Sequence, residues 1–318
     1  MKVIMVYDVK GWAWHQKAKA IQKYLNDQFD KITICPNKEF HKKLLNKYHT
    51  CHFFSWMERK KIAGKYKGLT AGVSSHNFHY LHPEKSKKYL PKYGALTANS
   101  QLILKELKKR ELNSTIYYTP NGVDETIFIP DKKKTNLDKF VIGWSGQPSG
   151  PGFNRSEGLD MHGYHNILLP LVESLKEYKD IHFEIMANTH KSAVPFDRMP
   201  EYYHGLDLFI HTGFGTGTPN PLFEAQACGI PGISTAIGEA PQLIKDGENG
   251  YLLSRYFNKS EANQRVQEIK QRIVILRNDR ERLLFMGENS RKIIEESWTW
   301  RERAKAWLPV FQNHRKTI

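Results

Sequence analysis

The 318 residues, 40% of them hydrophobic, suffice for two ordinary cores and exclude a disordered or fibrous chain. No run approaches the roughly 18 apolar residues of a membrane span, and the opening MKVIMVYDVK reaches an acidic residue too early for a secretion leader, so a soluble cytoplasmic protein, at most peripheral to a membrane, is expected. Three scattered cysteines, Cys35, Cys51 and Cys228, exclude a disulfide framework or a zinc site, and the net charge of +15 lies wholly in residues 1–134, where 26 Lys and Arg face 11 Asp and Glu; the remainder carries 22 of each.

In chain order, KVIMVYD is a short apolar run with β-branched members that passes through Gly11 into WAWHQKAKAIQKYLND, where Trp14, Ala18, Ile21 and Leu25 share one helical face. A strand, a loop and an amphipathic helix are predicted. KITIC, HTCHFFSW, LTAGVSS and YGALTAN read as further strands, FHKKLLNKY as a helix, and Ser100 as the cap of a helix over QLILKELKKREL whose cationic last turn suits its dipole. The stretch IPDKKKTNLD, residues 129 to 138, is polar and lysine-rich and contains Pro130, which makes it the expected linker. Alternation then restarts: FVIGWSGQ as strand, HNILLPLVESLKEY as helix, IHFEIMAN and LDLFIHT as strands, and a helix beginning near Pro221. The expected architecture is α/β, with a Rossmann-like domain over 1–134, a second over 135–300, and a terminal helix over 301–318 returning to the first.

The most informative segment is TGTPNPLFEAQACGIPGISTAIGEAPQLIKDGENGYLL, residues 216 to 253. A loop rich in Gly, Thr and Pro before a helix can offer free backbone N–H groups to a diphosphate. Glu224 lies about one turn into that helix, where its carboxylate can accept hydrogen bonds from a ribose diol. The segment resembles the donor-site signature of the retaining GT-B glycosyltransferases of family 4: Pro219, Asn220, Pro221, Glu224, Ala225, Ala227, Cys228, Gly229 and Pro231 stand where that pattern expects them. MPEYYHGLDLFIHTGF before it, DGENGYLL and MGENSRKIIEESWTWRERAKAW after it, and TPNGVDETIF earlier in the chain are similar to further segments of the family.

The resemblance implies two Rossmann-like domains facing each other across a cleft and retaining sugar transfer from a nucleotide sugar such as UDP-glucose. No metal is implied, in keeping with the lack of an Asp-x-Asp motif, and no cofactor. It implies donor contacts at Gly11, Thr218, Pro219, Asn220, Pro221 and Glu224, and a catalytic role for His76 at a strand end beside the transferred sugar. Two departures stand out. The family's first carboxylate belongs eight positions before Glu224, where this chain has Thr216, which puts the sugar in doubt. The family's diphosphate-binding cation is not obvious in the loop GQPSGPGFNRSEGLDMHG, where Arg155 is the first candidate and His162 the second.

In GT-B enzymes the N-terminal domain holds the acceptor, and here that domain carries the excess charge. Lys42, Lys43, Lys47, Arg59, Lys60, Lys61, Lys65 and Lys67 alternate with Trp12, Trp14, Phe53, Phe54, Trp56, Phe78 and Tyr80. Cations beside aromatic platforms suit nucleic acid, and a hydroxymethylated base in DNA, held by Trp12, Trp14, Lys60 and Lys61, is the favoured acceptor from sequence. A membrane glycolipid or an envelope glycan is the alternative; a non-catalytic sugar-nucleotide or nucleic-acid binding protein, monomeric or dimeric, is the alternative of another class.

Overall fold

The computed structural model describes residues 1–58, 61–62, 65–66, 68–75, 82–131, 138–148, 159–187 and 194–315. The chain forms two compact units, Met1–Gly122 with Trp300–Ile318, and Val123–Thr299.

The first unit is built on a six-stranded parallel sheet of β1 (Lys2–Tyr7), β2 (Lys31–Pro36), β3 (Thr50–Phe53), β4 (Leu69–Val73), β5 (Ala95–Ala98) and β6 (Thr115–Tyr118), in the order β2-β1-β3-β4-β5-β6. Val3, Ile4, Met5 and Val6 are all buried, because parallel strands covered on both faces have no solvent side. Helix α1 (Ala13–Leu25) buries Ala18, Ile21 and Leu25 as its periodicity predicts, while Trp14 is half-buried against the same core. Lys17 is buried too, which no apolar pattern foretells. The predicted helix over FHKKLLNKY is a tighter 3₁₀ segment, Lys42–Lys47, whose clustered lysines disfavour a longer α-helix. Ser100 caps α2 (Gln101–Lys108) as expected, its hydroxyl accepting from the Ile103 amide at 3.2 Å.

The terminal segment belongs to this unit. Trp300, Ala304, Trp307, Val310 and Phe311 complete the core that lies against α1, with Trp307 edge-on to His52 at 4.8 Å and near Phe54 at 5.9 Å. The Lys17 ammonium lies 4.9 Å from the Trp307 ring centroid and donates to Asn121 Oδ1 at 2.7 Å.

The second unit has a five-stranded parallel sheet, β7 (Phe140–Gly146), β8 (Ile181–Ala187), β9 (Leu208–His211), β10 (Gly232–Thr235) and β11 (Gly250–Leu253), ordered β11-β10-β9-β7-β8. The lysine-rich stretch singled out as linker follows the division of the chain rather than marking it. Val123 N–H donates to the Trp298 carbonyl at 2.9 Å, and Arg291 takes the carbonyls of Phe128, Ala227 and Glu125 at 2.6, 2.8 and 3.1 Å, fastening residues 123–128 to the second unit. Composition registers solvent exposure, and an exposed loop inside a unit has the same composition as a linker between units. No helix among the described residues is long and apolar enough to cross a membrane.

Candidate active site in the second unit

From β7 the chain passes to β8 on one side and then returns to β9 on the other, so the strand order reverses between the carboxyl ends of β7 and β9. Ligands of open parallel sheets bind in the crevice at such a point. The loops leaving these two strands are tied together there. Thr212 Oγ1 donates to the His162 carbonyl at 2.7 Å and accepts from Trp144 Nε1 at 2.9 Å; Phe214 N–H donates to the Met161 carbonyl at 2.9 Å; Tyr256 donates to the Thr212 carbonyl at 2.9 Å. Gly163 adopts φ +69°, and a side chain there would run into the Thr212 carbonyl. The turn at Gly238, φ +58°, rests as closely on the carbonyl of Gly217.

Asp160, buried in the first of these loops, accepts from the amides of Tyr164 and His165 at 2.8 Å each and of Asn166 at 3.3 Å. The start of the helix that continues to Ser174 thus already has its anion, supplied by the chain itself. His162, two residues on, is half-buried, and burial holds its imidazole below the usual histidine range against the pull of Asp160.

The second loop leads into α3 (Asn220–Ala227). Thr216, Asn220 and Pro221 are half-buried, Thr218 and Pro219 buried. The expectation of free amides at the helix start needs correcting. Pro221 has none, Asn220 N–H donates to the Thr218 carbonyl at 3.0 Å, and those of Leu222 and Phe223 donate to the Pro219 carbonyl at 2.9 and 3.4 Å. Two prolines tighten the first turn onto itself, so the helix start offers no free amide at these positions and any backbone contact to a ligand falls to the Gly-rich loop before it. Glu224 is half-buried, with Oε2 accepting from Tyr203 at 2.7 Å; burial pushes its carboxyl up to about 7, and the Tyr203 bond opposes that rise. The Cys228 thiol, one turn further, is pushed up to about 12 by burial and by Glu224.

One residue of this crevice was not singled out from sequence. His211, the last residue of β9, is 9% exposed and shares a 3.1 Å hydrogen bond between Nδ1 and Ser234 Oγ; burial, reinforced by His162, lowers its imidazole to about 3. A lone histidine at a strand end reads as structural, and only the polar lining of Ser234, Thr216 and His162 around it gives it another meaning.

The remaining sequence candidates are distributed differently. His76, Arg155 and Lys60 lie outside the described residues, as do Arg59, Lys67, Phe78 and Tyr80. Gly11, at φ +87°, needs glycine for its backbone, since a side chain there would meet nothing within 4 Å; its amide donates to His15 Nδ1 at 3.0 Å. Lys61 is exposed and Trp12 half-buried. Phe53, Phe54 and Trp56, offered as stacking platforms, are 0%, 2% and 4% exposed and belong to the core, so they present no face to a nucleic-acid base. Among the described residues, no group of three His, Cys, Asp or Glu side chains could hold a metal ion.

Comparison with known proteins agrees with this geometry. Residues 173–279 match the model of the family described as "Glycosyl transferases group 1". A GDP-mannose-dependent alpha-mannosyltransferase of Corynebacterium glutamicum is 30% identical over 165 residues, 49% of this chain and 39% of that protein. A D-inositol 3-phosphate glycosyltransferase of Paenarthrobacter aurescens is 26% identical over 155 residues, 42% of this chain and 38% of that one. The chain thus matches well under half the length of these curated relatives. Among solved structures, Anabaena HepE in complex with UDP and glucose superposes with a TM-score of 0.68 at 14% identity, covering 96% of this chain and 97% of that one. The sucrose-phosphate synthase of Thermosynechococcus elongatus does so with 0.68 at 12% identity, 98% of each chain being covered. The architecture is the GT-B fold, and the resemblance to the group 1 glycosyltransferases read from residues 216–253 is the one the family model finds.

Proposed function

We propose that this chain, a GT-B fold carrying the group 1 glycosyltransferase signature, is a retaining glycosyltransferase that moves a sugar from a nucleotide donor to a hydroxyl of an anionic acceptor. The observation that carries the reading is the tie, at the β7/β9 switch point, between the loop that holds His162 and the Gly-rich loop 213–218, which leads into the helix bearing the half-buried carboxylate of Glu224. Glu224 accepts the hydroxyls of the donor ribose. The backbone of the 213–218 loop, with His162 as the nearby basic side chain, receives the diphosphate as negative charge develops on it. That is stabilisation by preorganised dipoles, for which neither a metal nor a protein nucleophile is needed. Arg155, the first candidate from sequence, is the second variant to test. The resemblance assigns His76 a catalytic role, and a donor phosphate oxygen takes the acceptor proton.

For the acceptor, the surplus of cations in residues 1–134 supports an anionic molecule. The preference for DNA rested equally on aromatic platforms, and three of these are core residues. A membrane glycolipid or envelope glycan with anionic groups is therefore the acceptor we favour, and hydroxymethylated DNA becomes the contrasting arm of the test. The protein is incubated with labelled UDP-glucose, UDP-N-acetylglucosamine or GDP-mannose together with envelope lipid extract or hydroxymethylcytosine DNA. Label in lipid or glycan, abolished by Glu224→Ala, is expected. Label on DNA would reverse the acceptor, and donor binding with neither transfer nor hydrolysis would make this a binding protein.

A further inference from the structure

The resemblance leaves a gap at Thr216: where the family has a carboxylate that accepts hydrogen bonds from the transferred sugar, this chain has a hydroxyl. An acceptor is present a few residues earlier, at the end of β9. Ser234 Oγ donates its own proton to the Thr235 carbonyl at 2.9 Å, so toward His211 it can only accept. The 3.1 Å contact therefore requires the proton of His211 on Nδ1. Burial keeps the ring neutral across ordinary pH, and a neutral imidazole with its proton on Nδ1 carries a bare lone pair on Nε2. Among the described residues nothing donates to Nε2, and the atom is not sealed from solvent.

The neighbouring glycine has a matching role. A Cβ at Gly213 would come within 2.7 Å of Nε2 and 3.2 Å of the Thr216 methyl, so any side chain at 213 would cover the lone pair and crowd Thr216. Thr235 Oγ1 donates to the Gly213 carbonyl at 2.6 Å and holds this stretch of loop in place.

We propose that His211 Nε2, uncovered at Gly213 and oriented by Ser234, accepts a hydrogen bond from a hydroxyl of the donor's sugar ring, so that an uncharged acceptor replaces the family's carboxylate beside Thr216. The inference rests on the nucleotide-sugar reading above and adds to it the residue that senses the sugar. The site then selects a hexose presenting a free hydroxyl at that position and discriminates against the deoxy analogue, because an unpaired acceptor is left behind.

The test separates sugar from nucleotide. Equilibrium affinities of the whole protein are measured for UDP, GDP, UDP-glucose, UDP-N-acetylglucosamine and GDP-mannose, then for the ring-deoxy analogues of whichever nucleotide sugar binds best. We expect one deoxy analogue to bind wild type roughly three- to tenfold more weakly than its parent, and His211→Leu to bind the parent as weakly as wild type binds that analogue. The bare nucleotide should bind both proteins equally. His211→Gln, which restores an acceptor near the Nε2 position, should recover most of the loss, and Gly213→Ala should reproduce it. Long-range proton–nitrogen correlation spectra report the tautomer independently, and Nδ1–H with an unprotonated Nε2 is required. Equal affinity of wild type for every deoxy analogue, an Nε2–H tautomer, or a His211→Leu loss that falls equally on the bare nucleotide would each overturn the proposal while leaving the glycosyltransferase reading intact. If wild type binds no nucleotide, that reading itself fails.

Discussion

Lys17 in the first unit and Glu224 in the second are both ionisable groups withdrawn from water, and in both cases burial moves the group to about 7, the amine downward and the acid upward. Their compensation differs. Lys17 is buried, its ammonium held by Asn121 Oδ1 and by the rings of Trp307 and Phe54, all within its own unit. Glu224 has one oxygen on Tyr203 and part of its surface still open, at the rim of a loop of glycines and prolines. The same desolvation cost thus accompanies two situations: an internal fastening whose partners come from residues 54, 121 and 307, and a part-open carboxylate to which the proposed function gives the ribose diol.

The strongest way to break the comparison is at its structural end. Trp307 has no exposed surface and bears on His52, Phe54, Phe311 and Lys17 together. Trp307→Ala is expected to cost about 3–5 kcal/mol of stability, read as a lower urea midpoint at unchanged slope. A loss under 1 kcal/mol would mean that the terminal segment merely rests on the first unit. At the functional end, Glu224→Ala should weaken UDP binding about 10- to 100-fold, the effect of losing a charged acceptor, with little change in the urea midpoint. A large stability loss with unaltered UDP affinity would make Glu224 a fastening like Lys17.

Lys17→Met sharpens the contrast through pH. The folded pKa of Lys17 lies below its unfolded value, so its favourable contribution is complete above about 10.5 and is lost as pH falls through about 7. Replacing it with an apolar side chain of similar length should therefore leave the protein equally stable or about 1 kcal/mol more stable at pH 6, and less stable than wild type at pH 10. The difference should change by no more than about 1.4 kcal/mol per pH unit. Glu224 has the opposite sign: a raised acid contributes stability below about 4.5 that is lost as pH rises through about 7, weakened here because part of the side chain meets solvent.

These two residues also mark how far the sequence can be read. The alternation of strands and helices, the Ser100 cap and the segment around Glu224 are local signals, since turn chemistry and periodicity act within a few residues. Lys17 is invisible to such reading, because its burial is decided by Trp307, 290 positions away, and it passes for one more exposed lysine of an amphipathic helix. Phe53, Phe54 and Trp56 were misjudged for a related reason. Alternation of lysine and aromatic residues looks alike on a surface and in a strand whose neighbours cover it, and only the sheet order shows β3 lying between β1 and β4. The role assigned to His211 depends on a hydroxyl of another strand choosing its tautomer, which nothing in LFIHT announces.

The smallest expected effect tests the link between the half-buried acid and its role. Tyr203, fully buried, gives its hydroxyl to Glu224 Oε2, and a hydrogen bond donated to a carboxylate favours the charged form. Without it, burial acts unopposed and the carboxyl moves further above about 7. Ribose hydroxyls donate best to the ionised carboxylate, so wild-type UDP affinity should climb with pH through about 7 and level off near pH 9. Tyr203→Phe should displace that climb to higher pH. At pH 7 the variant should bind UDP about two- to fivefold more weakly, and at pH 9 nearly as well as wild type, the order of effect a single neutral-donor hydrogen bond exerts on its partner. A deficit equal at both pH values would show Tyr203 acting through packing alone. A wild-type affinity flat from pH 6 to 9 would mean that Glu224 is already ionised at pH 6, and that its open oxygen keeps enough water to cancel the burial of the rest.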